Sequence, residues 1–119
     1  MIVKATREGL IGQRTASGWL IDTTTPYVAL PSDAALRQRV VVANLANGKS
    51  IRAIVLDVGP WNIHDTPYVF GGSRPQAESG TDHFGRKTNG AGIDLGEVVW
   101  AALGMADSKD GKVNWEFLP

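Results

Sequence analysis

Residues 51–61 read Ile51-Arg52-Ala53-Ile54-Val55-Leu56-Asp57-Val58-Gly59-Pro60-Trp61. The run through Leu56 is rich in β-branched side chains, the mark of a buried strand. An acid follows, and Gly59-Pro60 then stops the ladder and turns the chain. This order sets the Asp57 carboxylate at the mouth of a strand, with the Trp61 aromatic just beyond it. A second acid has a similar setting in Gly92-Ile93-Asp94-Leu95, just before a helical pattern. The expectation is a small β-barrel in which Asp57 and Asp94 meet in a groove.

Working outward, the strand pattern recurs. Val40-Val41-Val42-Ala43-Asn44-Leu45 is the strongest apolar run, and Ala46-Asn47-Gly48-Lys49 follows it. Asn-Gly supplies the positive φ angles of a type I′ turn, so residues 39–45 and 49–56 should pair antiparallel. The run before the turn shows little polar alternation, which predicts cover on both faces. Ile2-Val3-Lys4-Ala5-Thr6, Trp19-Leu20-Ile21, Tyr27-Val28-Ala29-Leu30 and Val113-Asn114-Trp115-Glu116-Phe117 supply further strands. Glu8-Gly9 and Gly12 read as interruptions, so residues 7–18 become turns. Pro31 ends the third of these strands, and Ser32 or Asp33 is placed to cap one helical turn. Leu95, Val98, Val99, Ala102 and Leu103 fall at helical spacing and Gly104 stops them, predicting a helix over 95–103. Asp94 at its start would then either cap the helix or serve the groove. Residues 62–89 form a long excursion rich in glycine that holds both histidines. A loop of this length in a compact domain is functional or mobile.

The bulk composition narrows the function classes. A chain of 119 residues makes one domain, residues 1–119. Twelve basic and twelve acidic side chains cancel, which argues against nucleic acid and leaves an uncharged polymer or small ligand. The absence of cysteine excludes disulfides, thiolate catalysis and Cys-ligated zinc. No apolar run reaches the ~20 residues of a membrane helix, so no membrane span is expected. Met1-Ile2-Val3-Lys4 starts on a strand pattern without a signal peptide, so a periplasmic or envelope location is expected only if a leader has been removed. A monomer without a cofactor is the expected state.

The order of motifs resembles a rare lipoprotein A-like domain. The residues that carry the likeness are Thr15-Ala16-Ser17-Gly18 with Asp22, Leu30-Pro31, the stretch from Val42 to Ser50, Asp57-Val58-Gly59-Pro60-Trp61, Gly92-Ile93-Asp94-Leu95 and Leu103-Gly104. The resemblance covers nearly all of the chain outside the excursion. It implies a mainly β fold, a six-stranded double-psi β-barrel with one short helix and a long inserted loop. It also implies relatives that act on cell-wall glycan, among them lytic transglycosylases that cut peptidoglycan, inverting endoglucanases and non-enzymatic expansins. By the same resemblance Asp57 and Asp94 are the catalytic candidates. Two positions depart from the family's pattern. Its Glu after Thr-Ala-Ser-Gly is Trp19, and its His before Leu-Pro is Tyr27.

The chemistry of the candidates follows from burial. A carboxyl in a partly desolvated groove keeps a proton near neutral pH. A hydrolase needs two such groups. A lytic transglycosylase can use one, which protonates the leaving oxygen and then helps remove a proton from the sugar's own hydroxyl. Thr15, Ser17, Trp19, Tyr27 and Trp61 are the expected substrate-binding residues around these acids. His64 and His83 of the excursion would replace the missing polar groups. Trp61, Tyr68, Phe70 and Phe84 either face sugar or pack the excursion down. His64, Asp65, Asp82 and His83 match no metal-binding spacing, so no metal is expected. The leading expectation is a cell-envelope domain acting on peptidoglycan or another polysaccharide as a lytic transglycosylase. The alternative is a non-catalytic module binding glycan or protein.

Overall fold

A computed structural model describes all of residues 1–119. Six strands close into a barrel: β1 (Ile2–Glu8), β2 (Tyr27–Leu30), β3 (Arg39–Asn44), β4 (Ser50–Val58), β5 (Ile93–Gly96) and β6 (Asp110–Phe117). Their order around the barrel is β1-β5-β2-β4-β3-β6. β1 pairs parallel with β5 and β2 parallel with β4, while the other pairings are antiparallel. This mixed, closed arrangement is consistent with the double-psi β-barrel. Two short helices accompany it, α1 (Thr66–Val69) inside the excursion and α2 (Glu97–Ala102) after β5. No helix is long and apolar enough to cross a membrane.

The core fills the barrel from alternate strand positions. Val3 and Ala5 of β1, Val40 and Val42 of β3, Val55 of β4, Ile93 and Leu95 of β5 and Val113 of β6 are all fully buried. Val99, Trp100 and Leu103 from α2 and its C-terminal end join the same cluster. The two-residue period of a strand puts each intervening side chain on the outer face. β3 follows this rule, with Val41 and Ala43 only half-buried, so the expected cover on both faces is absent. A smaller cluster, Ile21, Tyr27 and Leu56 with Trp19 and Ile54, lies outside the main core.

Several local expectations need correction. The helix is shorter than 95–103, because Leu95 belongs to β5 and Gly96 precedes the first helical residue. Asp94 is therefore a strand residue and caps nothing. The excursion is not structureless, since it holds α1 and a 3₁₀ turn at Gln76–Ser79. Trp19-Leu20-Ile21 forms only an isolated bridge between Leu20 and Arg14. Ser32 precedes the 3₁₀ turn Asp33–Ala35 without a side-chain cap bond. The hairpin between β3 and β4 is real, but Gly48 alone has positive φ. Its turn is wider than type I′, with Gly48 N–H donating to the Asn44 carbonyl at 2.8 Å. The Asn47 side chain is used elsewhere. With Asn44, it donates to the Leu103 carbonyl and so fixes the end of α2.

Candidate functional site

Four residues line up across four strands. Thr6 of β1 is in register with Asp94 of β5, Asp94 with Ala29 of β2, and Ala29 with Asp57 of β4. The register shifts between Val28 and Ala29, where Val28 pairs with Val55 but Ala29 pairs with Asp57, passing over Leu56. A one-residue shift exchanges the two faces of a strand. Asp57 thus joins the Asp94 row, although by simple alternation it would share the inward face with Val55. Ala29 lies fully buried between the two acids.

Glu8 and Tyr27 lie next to this row. Gly96 makes room for Tyr27, because a Cβ there would overlap the Tyr27 ring at Cε1 and Cδ1. Both Glu8 Oε2 and the Tyr27 hydroxyl are buried without a hydrogen-bond partner. Trp19 stands edge-on to the Tyr27 ring at 5.0 Å between centroids. The loop carrying Thr15 and Ser17 is tied to the acids directly, as Ala16 N–H donates to Asp57 Oδ1 at 2.8 Å. Val58 N–H donates to the same oxygen at 2.9 Å. Thr15 and Ser17 hydroxyls bond each other at 2.8 Å, and Arg37 donates to the Ser17 carbonyl.

The electrostatics follow from this crowding. Burial, with the Asp57 carboxyl beside it, pushes Glu8 up to about 8, against an opposing contribution from the Tyr27 hydroxyl. Burial also pushes Asp94 up to about 6, with the Thr6 hydroxyl opposing and Asp57 adding to the rise. Thr6 Oγ1 donates to Asp94 Oδ1 at 2.6 Å, a bond to the charged form that holds this rise in check. Burial and the Glu8 carboxyl push the Tyr27 phenol above its ordinary range. Near neutral pH, Glu8 keeps a proton while Asp94 is largely ionised.

Sequence reasoning missed Glu8 and Thr6. Glu8 stands next to Gly9, and the pair reads as a turn. The available signal was the alternation of β1, in which Thr6 and Glu8 fall opposite the buried Val3 and Ala5. Trp61 takes a left-handed backbone with φ of 68°, uncommon for a residue with a side chain. Its indole N–H donates to Asn89 Oδ1 at 2.9 Å, which clasps the two ends of the excursion together.

The excursion histidines do not join the acids. His64 Nδ1 sits 3.4 Å from Asp33 Oδ1, and His83 N–H donates to Asn62 Oδ1 at 2.8 Å. Both histidines line a separate pocket of about 480 Å³ within the excursion. The excursion is held to the barrel by Tyr68, which donates to the Gly92 carbonyl at 2.8 Å and accepts from Trp115 Nε1 at 2.7 Å. Phe70 stacks on Phe117. Two of the four aromatics singled out in sequence therefore pack, while Phe84 is exposed. Asp82 is held by its own turn and the Arg86 guanidinium, and Asp65 accepts from Gln76 N–H.

A family described as a domain of unknown function (DUF8814) matches residues 1–78, about two thirds of the chain. The chain belongs to the DUF8814 family. Within the DUF8814 match lie β1 to β4, with Glu8, Tyr27 and Asp57, whereas Asp94 comes from beyond it. No curated protein sequence matches the chain. Among solved structures, a papain inhibitor from Streptomyces is similar, with 22% identity and a TM-score of 0.61, the match covering 100% of this chain and 94% of the inhibitor. A point mutant of an expansin from Clavibacter michiganensis, in complex with cellohexaose, matches with 17% identity and a TM-score of 0.58. The apo form of that expansin matches with 18% identity and the same TM-score. The match covers 100% of this chain but only 51% of either expansin chain, so this DUF8814 protein spans about half their length. At these identities the likeness is one of fold.

Proposed function

We propose that this chain is a polysaccharide-binding barrel whose groove runs over β1, β5, β2 and β4. The observation that carries the reading is the in-register row Thr6-Asp94-Ala29-Asp57, to which the Thr15–Gly18 loop is bonded through Ala16 and beside which Trp19 packs on Tyr27. Carboxyls and hydroxyls on such a strip suit sugar hydroxyls, and the aromatics at its margins suit sugar C–H faces. An expansin that carries a barrel of similar fold over about half its length is found in complex with cellohexaose, which supports an oligosaccharide as the class of ligand. The rare lipoprotein A resemblance favours peptidoglycan, and with it an envelope setting. Asp57, Asp94, Thr15, Ser17, Trp19, Tyr27 and Trp61 are the proposed contacts, with Glu8 and Thr6 added.

A second reading, glycan cleavage, is favoured by one observation. Glu8 and Asp94 are displaced to different degrees, and two acids so displaced divide naturally into donor and acceptor. In a lytic reaction the protonated acid would give its proton to the leaving oxygen. A carboxylate would then help remove the proton of the sugar's own hydroxyl as that oxygen closes on the anomeric carbon. Activity would fall below about pH 6 as Asp94 protonates and above about pH 8 as Glu8 ionises.

Co-sedimentation with purified peptidoglycan sacculi and with cellulose, followed by analysis of the soluble products, tests both readings. The binding reading expects the protein in the pellet, no released fragments, and a several-fold loss of retention in Trp61→Ala. Release of anhydro-sugar ends that stops in Asp94→Asn and Glu8→Gln would establish cleavage instead. Protein left in the supernatant with both polymers would sink the glycan reading and leave protein recognition.

A further inference from the structure

The pocket inside the excursion lies apart from the acid row and is used by neither reading above. Its volume of about 480 Å³ falls in the range that holds a small ligand or one sugar unit. Asn62 lines it and is 4% exposed. The Asn62 oxygen accepts from His83 N–H, whereas its amino group is buried with no hydrogen-bond partner. A buried donor left unpaired costs on the order of 1–3 kcal/mol, so an acceptor brought to it is favoured. Around this donor the lining is largely apolar in character. Ile63 is 49% exposed and Phe84 74% exposed, and Pro67 completes the wall.

We infer that this pocket takes the acetamido group of an N-acetylated amino sugar, an inference that rests on the glycan-binding reading. An acetamido group joins a carbonyl acceptor to a methyl. The carbonyl takes the Asn62 donor as that side chain turns toward the pocket, and the methyl meets Ile63 and Pro67. The C–H face of the sugar ring lies against Phe84, whose ring is already held from one side by the Arg86 guanidinium at 5.6 Å. The charges around the pocket favour a neutral ligand. Asp65 in the lining and Asp33 next to His64 repel an anion, so an uncharged sugar is preferred to an acidic one. A glycan of unacetylated glucose offers hydroxyls here, but no carbonyl beside a methyl.

Titrating the isotope-labelled 119-residue protein with tri-N-acetylchitotriose and with cellotriose tests this inference by amide chemical shifts. Chitotriose should move the Asn62 side-chain amide and the Phe84 region, and cellotriose should not. Phe84→Ala, a change at an exposed position, should weaken chitotriose roughly five- to tenfold, the usual contribution of one aromatic contact. Asn62→Asp keeps the oxygen facing His83, removes the amino group, and should weaken chitotriose in the same direction. If both sugars shift only residues of the acid row, and Phe84→Ala changes nothing, the pocket inference fails while the glycan reading stands. If neither sugar binds anywhere, both fail. If a short N-acetylated peptide occupies the pocket as well as chitotriose does, the pocket reads peptide carbonyls and the sugar assignment is overturned.

Discussion

Glu8 is the carboxyl whose chemistry departs most from its ordinary behaviour. Its carboxyl is displaced upward from 4.5 to about 8, chiefly by burial. An acid with a raised folded value loses its proton first in the unfolded chain. The unfolded state therefore binds fewer protons between about pH 4.5 and pH 8, and stability falls as pH rises through that window. Glu8→Gln removes this dependence. It should leave stability near pH 4.5 little changed and raise it at pH 8 by on the order of 1–3 kcal/mol, discounted for a carboxyl that is only partly buried. Denaturant unfolding at the two pH values checks it, and equal shifts at both would contradict the burial account. Asp57 was legible in the sequence because Gly59-Pro60 announces the end of its strand. Glu8 was hidden because Gly9 beside it looks like a turn, and nothing local says that Tyr27 and Asp57 will close over its side chain.

The paired elements explain which parts of the fold could be read and which could not. β3 and β4 are joined by a short turn, so β-branched runs and one Asn-Gly pair sufficed to find them. β5 is four residues long and owes its place to contacts with β1 and β2, both distant in sequence. Its Leu95 also fits the helical spacing that follows, so periodicity alone assigns it to the helix. What makes β5 a strand is partly Gly96, which leaves the slot that Tyr27 fills. Gly96→Ala drives a methyl into the Tyr27 ring, with no neighbouring space for that buried ring to enter. The expected cost is about 1–3 kcal/mol of stability. Thermal unfolding measures it, together with altered near-ultraviolet circular dichroism from Tyr27 and Trp19. A stable variant with unchanged spectra would mean that Tyr27 is not seated against β5. The excursion was legible as an insertion, and its docking through Tyr68 and Phe70 follows from its aromatics. The positions of its histidines were not legible, because sequence adjacency to Asp57 does not say which way a loop of this length folds.

The barrel as a unit is closed by its most distant segments. Thr6 and Asp94 meet from positions 88 residues apart, and the Met1 amino group reaches the Trp115 carbonyl across 114. Loop-closure entropy is lost before such contacts contribute, so chains of this kind fold slowly for their size. β1 emerges first during synthesis, yet both its partners, β5 and β6, come from the last third of the chain. It must wait with its ladder groups unpaired until they arrive, which makes the growing chain a candidate for chaperone protection. The segment matched by the DUF8814 family ends at residue 78, before either partner begins. A fragment of residues 1–78 should therefore remain unfolded, with poorly dispersed amide resonances and no cooperative melt. Adding residues 79–119 in trans should restore the dispersion, because the missing strands make four of the six pairings that close the barrel. A folded, cooperative 1–78 fragment would show instead that β2, β3 and β4 form a nucleus able to stand before the ring is joined.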